Sequence, residues 1–407
     1  MKYDLIISGG SLTGLSLARA LSDLSLNIAV IEARPLAESV PIPGESRAIA
    51  LSYGSKLFLQ EIGVWPDLKT HCCPIETILA SEKGSFGHTR LQANQEGLPA
   101  LGYVIPFADL HNILLQSIQD LNRLTVLSPA KCSNISVDHD HIAINFIRSG
   151  EEKKQSISAR LLVGADGLHS TLRKSFDIQA NESDYRQTAI IADIQTEIPH
   201  RNRAYERFSR QGPMALLPLQ NGCSALVYIV PDHAARSILE LNDQDFLQQV
   251  QERFGYRLGR CKWVSARRSF PLSQVHSRSI TAERSVLLGN AAHTLHPVAG
   301  QGFNLGLRDV ATLSGLIHLA VEQGQDIGNP DLLDRYRQLR RNDQCLTGQF
   351  TDGLVRLFDL DTIPIRGLRN LAMHAISHCA PLRHLMTRQT TGLAPLSRMK
   401  QVLSQEP

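Results

Sequence analysis

The stretch from Leu287 to Val310, LLGNAAHTLHPVAGQGFNLGLRDV, holds the residues of this chain that are best suited to chemistry. Its pattern predicts a buried strand end, a turn at Gly289 and Asn290, a loop containing Pro297, and a helix that starts near Gly300. The first turn of a helix has unpaired N–H groups and the positive end of the helix dipole, so it can bind a phosphate or another anion. An ordinary strand–turn–helix corner has the same pattern, and only further motifs can decide between the two interpretations.

A second glycine motif follows the first apolar run of the chain, Tyr3–Ser8. The segment Gly9-Gly10-Ser11-Leu12-Thr13-Gly14 opens a predicted helix, and Glu32 ends the next apolar run. This spacing is typical of a dinucleotide site, in which the helix N-terminus binds phosphates and the carboxylate accepts hydrogen bonds from ribose hydroxyls. Ser11 replaces the middle glycine of that pattern. Its Cβ crowds the pyrophosphate, whereas its hydroxyl can donate to a phosphate.

Two further polar groups have both a structural and a functional interpretation. Asp166 and Gly167 lie between an apolar run and a predicted helix, where Asp166 could simply be the helix N-cap. Arg47 follows a proline-containing loop and is either a solvated surface charge or a cation placed against a phosphate. The presence of three nucleotide-type motifs in one chain favours the functional interpretation.

The elements that must position these motifs are of two kinds. Short apolar runs followed by amphipathic segments predict parallel strands and helices, whereas residues 185–270 alternate with the period of antiparallel strands. We therefore predict an α/β fold: a Rossmann-like nucleotide-binding domain interleaved with an antiparallel-sheet substrate domain, followed by a helical C-terminal tail. The predicted boundaries are 1–71, 104–180 and 271–350 for the first domain, 72–103 and 181–270 for the second, and 351–407 for the tail.

The bulk composition excludes several classes of protein. A net charge of +3 over 407 residues does not indicate a nucleic-acid partner. Seven cysteines without a Cys-x-x-Cys pair argue against disulfides and zinc, and favour a reducing cytosol. The N-terminus lacks the pattern of a secretion signal, and no apolar run reaches the length of a membrane span. No metal cluster, Walker loop or Ser–His–Asp set competes with the nucleotide motifs.

With its motifs in this order, the chain resembles the single-component, class A flavin-dependent aromatic hydroxylases, which share the p-hydroxybenzoate hydroxylase fold. The resemblance implies that FAD is bound by three groups of residues. These are Gly9, Ser11, Gly14, Glu32, Arg34 and Arg47; then Asp166 and Gly167; and finally Gly289, Asn290, Pro297, Gly300, Gln301, Gly302, Phe303 and Asn304. Asn290 departs from the aspartate of the family, so its hydrogen bond to the ribityl chain would be neutral and weaker.

Within that family, four segments are similar to the hydroxylases of ubiquinone biosynthesis: GESRAIALS, GADGLHSTLR, YERFSRQGPMALLPL and GNAAHTLHPVAGQGFNLGLRDV. The resemblance implies that NADPH or NADH and O2 are co-substrates and that a polyprenylated phenol is hydroxylated, with 2-polyprenyl-6-methoxyphenol as the expected substrate. It leaves another ring position open.

Pro297 would form part of a wall beside the flavin. His296 or His293 would deprotonate the phenol or form a hydrogen bond with the flavin, although each could instead be a buried histidine with a purely structural role. Two other activities stay open on the same scaffold, a flavin-dependent prenyl reductase and a non-catalytic binder of quinone precursors. A halogenase is disfavoured because the two tryptophans, Trp65 and Trp263, do not form its Trp-x-Trp signature.

The C-terminal tail is basic, with six Lys or Arg against one acid from Thr362 to Pro407. Apolar residues from Leu368 to Cys379 recur at helical spacing. We expect this apolar face to pack inward and the arginines to point outward. Such a surface predicts a cytoplasmic protein that associates peripherally with an anionic inner membrane, or with an assembly of ubiquinone-biosynthesis proteins.

Overall fold

The computed structural model describes residues 2–36, 47–151, 153–360 and 362–394. In the described part of the chain, eleven α-helices surround four sheets. The helices are α1 Leu12–Ala20, α2 Tyr53–Glu61, α3 Trp65–Lys69, α4 Phe107–Gln119, α5 Thr171–Ser175, α6 Asp232–Leu239, α7 Asp243–Phe254, α8 Gln301–Glu322, α9 Pro330–Asp359, α10 Ile363–His378 and α11 Ala380–Thr390.

The strands are β1 Leu5–Ser8, β2 Ile28–Ile31, β3 Ala48–Ser52, β4 Cys73–Ile75, β5 Thr77–Glu82, β6 His88–Gln92, β7 Gly102–Pro106, β8 Leu124–Leu127, β9 Ala130–Val137, β10 Ile142–Arg148, β11 Gln155–Ala159, β12 Leu161–Gly164, β13 Ala180–Thr196, β14 Arg203–Phe208, β15 Met214–Pro218, β16 Cys223–Pro231, β17 Cys261–Val264, β18 Arg268–Ser277, β19 Thr281–Ala282, β20 Ser285–Leu287 and β21 His293–Thr294. Mixed α/β architecture with an antiparallel sheet and a helical C-terminal region is confirmed.

A six-stranded sheet in the order β19-β20-β12-β1-β2-β8 forms the nucleotide-binding layer. Five of its strands are parallel, and β19 pairs antiparallel to β20 at the edge. Strands β1, β2 and β12 are fully buried apolar runs because helices cover the sheet. Ser8 pairs with Ile31 and Gly164, and Gly164 pairs with Leu287, so four strands end side by side. A crevice at such an edge is where open α/β sheets bind ligands.

The large mixed sheet lies beside this edge, in the order β21-β18-β13-β16-β15-β14-β5-β6, with β17 paired to β13. Its core joins residues from β13 to β16 with helices α6 and α7, around fully buried Ile190, Leu226 and Phe246. Two smaller antiparallel sheets, β11-β10-β9 and β3-β7-β4, complete the fold. The domain boundaries predicted above stay a prediction.

Several element boundaries differ from the sequence prediction. Strand β13 begins at Ala180, before residue 185 where the predicted strand pattern begins, because its polar first half pairs with β18. Helix α9 is continuous from Pro330 to Asp359, so it extends past residue 350, where the predicted first domain ends.

The N-cap of α5 is Ser170, whose hydroxyl accepts from the Arg173 N–H. The simple N-cap interpretation of Asp166 was therefore wrong, although its carboxylate still binds the same helix end.

Candidate FAD and substrate site

The first glycine loop packs so tightly that two of its positions exclude a side chain. A Cβ on Gly9 would lie 2.3 Å from the Ala165 carbonyl oxygen, and a Cβ on Gly14 would lie 1.9 Å from the Gly9 oxygen. These glycines thus let α1 approach β1 and β12 closely. Ser11 occupies the N-cap position of α1 without a side-chain capping bond, so the first N–H groups of that helix are available to an anion.

Glu32 lies directly after β2, beside that loop. Its Oε2 accepts from the Gly10 N–H at 2.7 Å and its Oε1 accepts from the Arg34 N–H at 3.0 Å. The Arg34 carbonyl in turn accepts from the Ser128 hydroxyl. The carboxylate is therefore fixed next to a helix N-terminus, where the ribose of a dinucleotide is held in this type of fold.

Asp166 and Gly167 follow β12, the neighbour of β1. One carboxylate oxygen of Asp166 accepts from the Thr171 and Leu172 N–H groups, and the other oxygen is buried without a hydrogen-bond partner. Burial raises the pKa of Asp166. Gly167 has φ +80° and open space where a Cβ would be. An orphaned acceptor beside an open glycine fits a ligand that supplies a donor there.

The third motif forms the turn that leads into α8. Gly289 has φ +54° and faces Thr13 on α1, while Asn290 is exposed. Ala299 and Gly300 adopt left-handed conformations with φ of 58° and 60°, which turns the chain sharply into the helix. Gly300 provides no side-chain cap, and a Cβ on Gly302 would meet open space. The start of α8 is therefore both uncapped and approachable.

Gln301 and Asn304 serve the structure around the turn. The Gln301 amide donates to the Ala299 and Thr390 carbonyls. Asn304 donates to the Ala50 and Gly300 carbonyls, and its oxygen accepts from the backbone of β3 and from a serine of α2. Neither side chain lines the cavity described next.

A cavity of about 470 Å³ lies where the parallel sheet meets the mixed sheet. One wall carries predicted cofactor residues: Ser11, Arg47, Gly167, Gly289, Asn290, Pro297, Gly300, Gly302 and Phe303. The opposite wall is apolar and comes from the mixed sheet: Ala189, Ile191, Ala204, Ala215, Leu217, Val227, Ile229 and Leu272. Gly9, Gly14, Glu32, Arg34 and Asp166 lie beyond it, toward the carboxyl ends of β1, β2 and β12. The predicted cofactor residues thus extend from the carboxyl ends of β1, β2 and β12 to the cavity with the apolar wall.

The two predicted histidines lie outside that cavity. His296 is fully buried; its Nδ1 accepts from the Val298 N–H, so its Nε2 donates to the Gln187 oxygen. Burial lowers the pKa of His296 to about 4. His293 donates to Asp309 at 2.6 Å, and both side chains are buried. The structure therefore does not place His296 or His293 at the wall of this cavity, and the catalytic role predicted for them stays a prediction.

Two charged residues line the cavity, Arg47, which was predicted from the sequence, and Glu206, which was not. Arg47 lies over the Phe107 ring at 4.7 Å and near Phe270 at 5.9 Å, so its charge rests on aromatic faces. Glu206, on β14, was not predicted. Its Oε1 accepts from the Ala299 N–H at 3.4 Å, and burial raises its pKa to about 7. A charged residue at an inward strand position, between Ala204 and Phe208, was the signal that could have revealed it.

This donor and acceptor set fits a flavin dinucleotide. Two uncapped helix starts can bind the pyrophosphate and the anionic edge of the flavin ring, and Glu32 can accept from the adenosine ribose. Gly167 and Gly302 leave room where a cofactor must pass close to the backbone. The fold and this site together fit an FAD-dependent oxidoreductase whose cofactor motifs face an apolar wall across the same cavity.

Comparison with known proteins agrees with that class. The family model described as "FAD binding domain" matches residues 2–345, so the chain belongs to this family. It is 34% identical over 395 residues to ubiquinone hydroxylase UbiL of Rhodospirillum rubrum, covering 97% of this chain and 90% of that protein. It is 28% identical to 3-demethoxyubiquinol 3-hydroxylase of Escherichia coli, covering 96% and 98%.

A solved structure gives the same fold. The p-nitrophenol 4-monooxygenase PnpA of Pseudomonas putida superposes with a TM-score of 0.78 at 16% identity, covering 97% of this chain and 98% of that chain. The protein is an FAD-dependent monooxygenase of the aromatic hydroxylase class. More particularly, it is a member of the ubiquinone-biosynthesis hydroxylases.

Proposed function

We propose that this enzyme uses NADPH or NADH and O2 to hydroxylate the ring of a polyprenylated phenol, and that the reaction converts 2-polyprenyl-6-methoxyphenol to 2-polyprenyl-6-methoxy-1,4-benzoquinol. The proposal rests on one observation, the cavity described above. The predicted cofactor motifs form one of its walls, and apolar residues of the mixed sheet form the other. An aromatic ring with an isoprenoid substituent is an apolar ligand of the kind such a wall accommodates.

The chain's own residues would bind and shield the cofactor. When bound, FAD supplies the redox chemistry, taking a hydride from NAD(P)H and delivering one oxygen atom from O2 to the ring. The start of α8 would stabilise negative charge on the reduced flavin. Glu32 would hold the adenosine ribose, and Asn290 would contact the ribityl chain. Pro297 and Ala299 would exclude water from the reacting face.

Product analysis tests this proposal. Purified enzyme with FAD, NADPH or NADH, O2 and a short-chain 2-prenyl-6-methoxyphenol should yield the 1,4-benzoquinol, identified by mass and by the ring-proton pattern in NMR. The matched substrates are a 2-prenylphenol and a demethoxyubiquinol analogue, which report the other ring positions. NAD(P)H consumption that no phenol accelerates would indicate a binder, and a saturated prenyl chain in the product would indicate a reductase.

We also propose that the enzyme meets its lipid substrate at a membrane surface, because a polyprenyl phenol is nearly insoluble in water. No helix in the described ranges is long and apolar enough to span a bilayer. Four leucines of α10 and α11 are exposed and are here called the leucine face: Leu368, Leu371, Leu382 and Leu385. Leu368 and Leu371 are 67% and 65% exposed.

The orientation of α10 differs in part from the one expected: Ile376 packs inward, but Leu368 and Leu371 do not. Arg369 is buried in an ion pair with Glu82, and the apolar positions around it point outward. Of the six cations predicted to point outward, Arg398 and Lys400 lie outside the described residues. Exposed Phe86 precedes Gly87, whose N–H donates to Asn370 on α10, so an aromatic ring is available beside the leucine face. Exposed apolar side chains on a tail that also carries cations favour a peripheral contact with anionic lipid.

A further inference from the structure

We infer that Glu206 is the base that takes the phenolic proton of the substrate during hydroxylation, an inference that rests on the function proposed above. The phenol O–H bond breaks, its electron pair stays on the phenolate oxygen, and the proton moves to a carboxylate oxygen of Glu206. The phenolate ring is richer in electrons than the phenol ring and therefore accepts an electrophilic oxygen more readily.

The position of Glu206 places its carboxylate between the two walls of the cavity. Inward positions of β14 alternate as Ala204, Glu206 and Phe208, so the side chain of Glu206 projects from the substrate wall. On its other side, Oε1 reaches the N–H of Ala299 in the turn before α8. A ring that lies between the substrate wall and this turn therefore has the carboxylate at its edge.

No other group in the described cavity wall can take this proton. Glu206 is the single carboxylate among the residues that line the cavity in the described part of the chain, and Arg47 is the single cation there. The remaining polar side chains of the wall are hydroxyls and one amide. His293 and His296 are enclosed elsewhere by their own hydrogen bonds. Among the described residues, a proton acceptor within reach of the substrate is thus available only at Glu206.

The surroundings of Glu206 leave it ready to accept a proton near neutral pH. Burial raises its pKa to about 7, and the N–H of Ala299 opposes that rise. A base is most effective when its pKa is close to the working pH. A phenol titrates near 10, so roughly one molecule in a thousand is ionised at pH 7 without a base.

The other titratable groups at this corner are paired with one another or lie across the cavity. From the elements packed around Glu206 they are Arg47 before β3, Glu82 on β5, Tyr185 on β13, His296 before α8, Asp352 and Arg356 on α9, and Arg369 on α10. Glu82 pairs with Arg369, and Asp352 pairs with Arg356. Arg207, the next residue along β14, donates to Ser81. Burial therefore dominates the titration of Glu206.

The variant Glu206→Gln tests the inference because it keeps the shape of the side chain and removes the base. We expect kcat per bound FAD to fall about 100-fold at pH 8 with little change in KM. In the parent enzyme kcat/KM should rise with pH through about 7 and then level off. In the variant that rise should move toward the pKa of the phenol, about 10. Glu206→Asp should recover part of kcat.

A more acidic substrate provides a readout that a merely structural role would not change. Ring-fluorinated 2-prenyl-6-methoxyphenol ionises more easily, so the ratio of parent to variant rates should shrink with it. Glu252→Gln is the matched control, because Glu252 is exposed on α7 and accepts from Gln248, away from the cavity. Thermal unfolding and FAD content of each variant are measured alongside.

The outcomes separate this inference from the function on which it rests. An unshifted pH profile and a kcat within twofold of the parent value would overturn the role of Glu206 while leaving the hydroxylase intact. A parent enzyme that hydroxylates none of the phenols would instead overturn the proposed function itself. A rate ratio that the fluorinated phenol does not change would assign Glu206 a structural role.

Discussion

At the scale of single residues, two carboxylates stand at opposite ends of the cofactor path. Glu32 lies at the end of β2 and accepts from two backbone N–H groups. Glu206 lies at the substrate end, where burial raises its pKa. The first accepts from two backbone N–H groups, whereas the second lies in an apolar wall where burial favours its protonated form. The same chemical group thus serves two different purposes.

Glu32→Ala should weaken FAD binding about 10- to 100-fold. A hydrogen bond to a charged group contributes about 1.5–3 kcal/mol, and the loss of the carboxylate removes the acceptor for the ribose hydroxyls. Flavin fluorescence titration of the apoenzyme measures the dissociation constant. Glu61→Ala, at the C-terminal end of α2, is the control and should bind FAD as the parent does. An unchanged constant in Glu32→Ala would exclude the ribose contact.

Glu206 also makes stability depend on pH, and the sign follows from its raised pKa. The folded protein holds this proton up to about pH 7, whereas the unfolded chain releases it near 4.5. The stabilising contribution is therefore complete below pH 4.5 and is lost as pH rises through 7, by about 3 kcal/mol in full. Glu206→Gln should remove this dependence. Urea unfolding at pH 5 and pH 8 measures it, and equal slopes with pH in both proteins would contradict the assignment.

At the scale of elements, one buried carboxylate ties the third motif to the two long helices. Asp309 on α8 accepts from His293 and from the Gly289 N–H, both in the motif. It also accepts from Arg340 and Gln344 on α9. Burial alone would raise the pKa of Asp309, but His293 and Arg340 outweigh it and hold the pKa far below its usual range. Asp309 thus links the turn of the third motif to α8 and α9 and holds it in place.

Asp309→Asn should destabilise the fold by about 3–5 kcal/mol at pH 7, because buried Arg340 and His293 lose this carboxylate and Arg340 keeps Asp343 alone of its two carboxylate partners. The contribution of a carboxylate with a lowered pKa is present above about pH 4 and is lost as pH falls. Chemical unfolding measures the change in the free energy of unfolding, and flavin absorbance shows that each protein still contains its cofactor. Asp334→Asn is the control, since Asp334 pairs with Arg337 at an exposed position of α9 and should change stability by less than about 1 kcal/mol.

Local sequence predicted the elements whose partners are close along the chain. The unit from β1 through α1 to β2 was correct in its order of elements, because apolar runs, a glycine loop and an amphipathic helix follow one another directly. The early start of β13 at Ala180 was missed, since its polar residues become a strand only by pairing with β18, which lies far along the chain. Glu206 was missed for the same reason: its environment is set by Ala299, which is distant in sequence.

At the scale of the whole molecule, α10 shows why periodicity gives the spacing of an apolar face but not its direction. The helix docks on β6 through polar groups: Asn370 accepts from Gly87, the Met373 carbonyl accepts from Thr89, and the Ser377 hydroxyl accepts from the Arg90 N–H. Each of these polar groups finds a partner, so the polar side packs inward. Met373 and Ile376 also pack inward, whereas Leu368 and Leu371 are left exposed on the leucine face.

Replacing Leu368 and Leu371 together by serine should weaken binding to anionic vesicles by at least about 100-fold. Burying one leucine contributes about 1.5–3 kcal/mol, and raising the salt should weaken the remaining charge-dependent binding. Co-sedimentation with phosphatidylglycerol-containing liposomes at low and high salt measures this. Ile198→Ser is the control, because Ile198 is an exposed apolar residue beside the mixed sheet, 44% accessible. A parent protein that binds no vesicles at low salt would leave delivery by another protein as the route.

The C-terminal end of α11 contacts two helices that lie much earlier in the chain, α8 and α2. The Thr390 carbonyl accepts from Gln301, at the first position of α8, and the Thr391 carbonyl accepts from the Gly54 N–H on α2. During vectorial synthesis on the ribosome, every glycine and aspartate motif therefore emerges well before the residues that brace the helix start beside the flavin. FAD loading should accordingly be a late event. A chain that terminates after His378 keeps all three motifs, yet it should leave the ribosome folded and poor in flavin, which the ratio of flavin to protein absorbance would reveal.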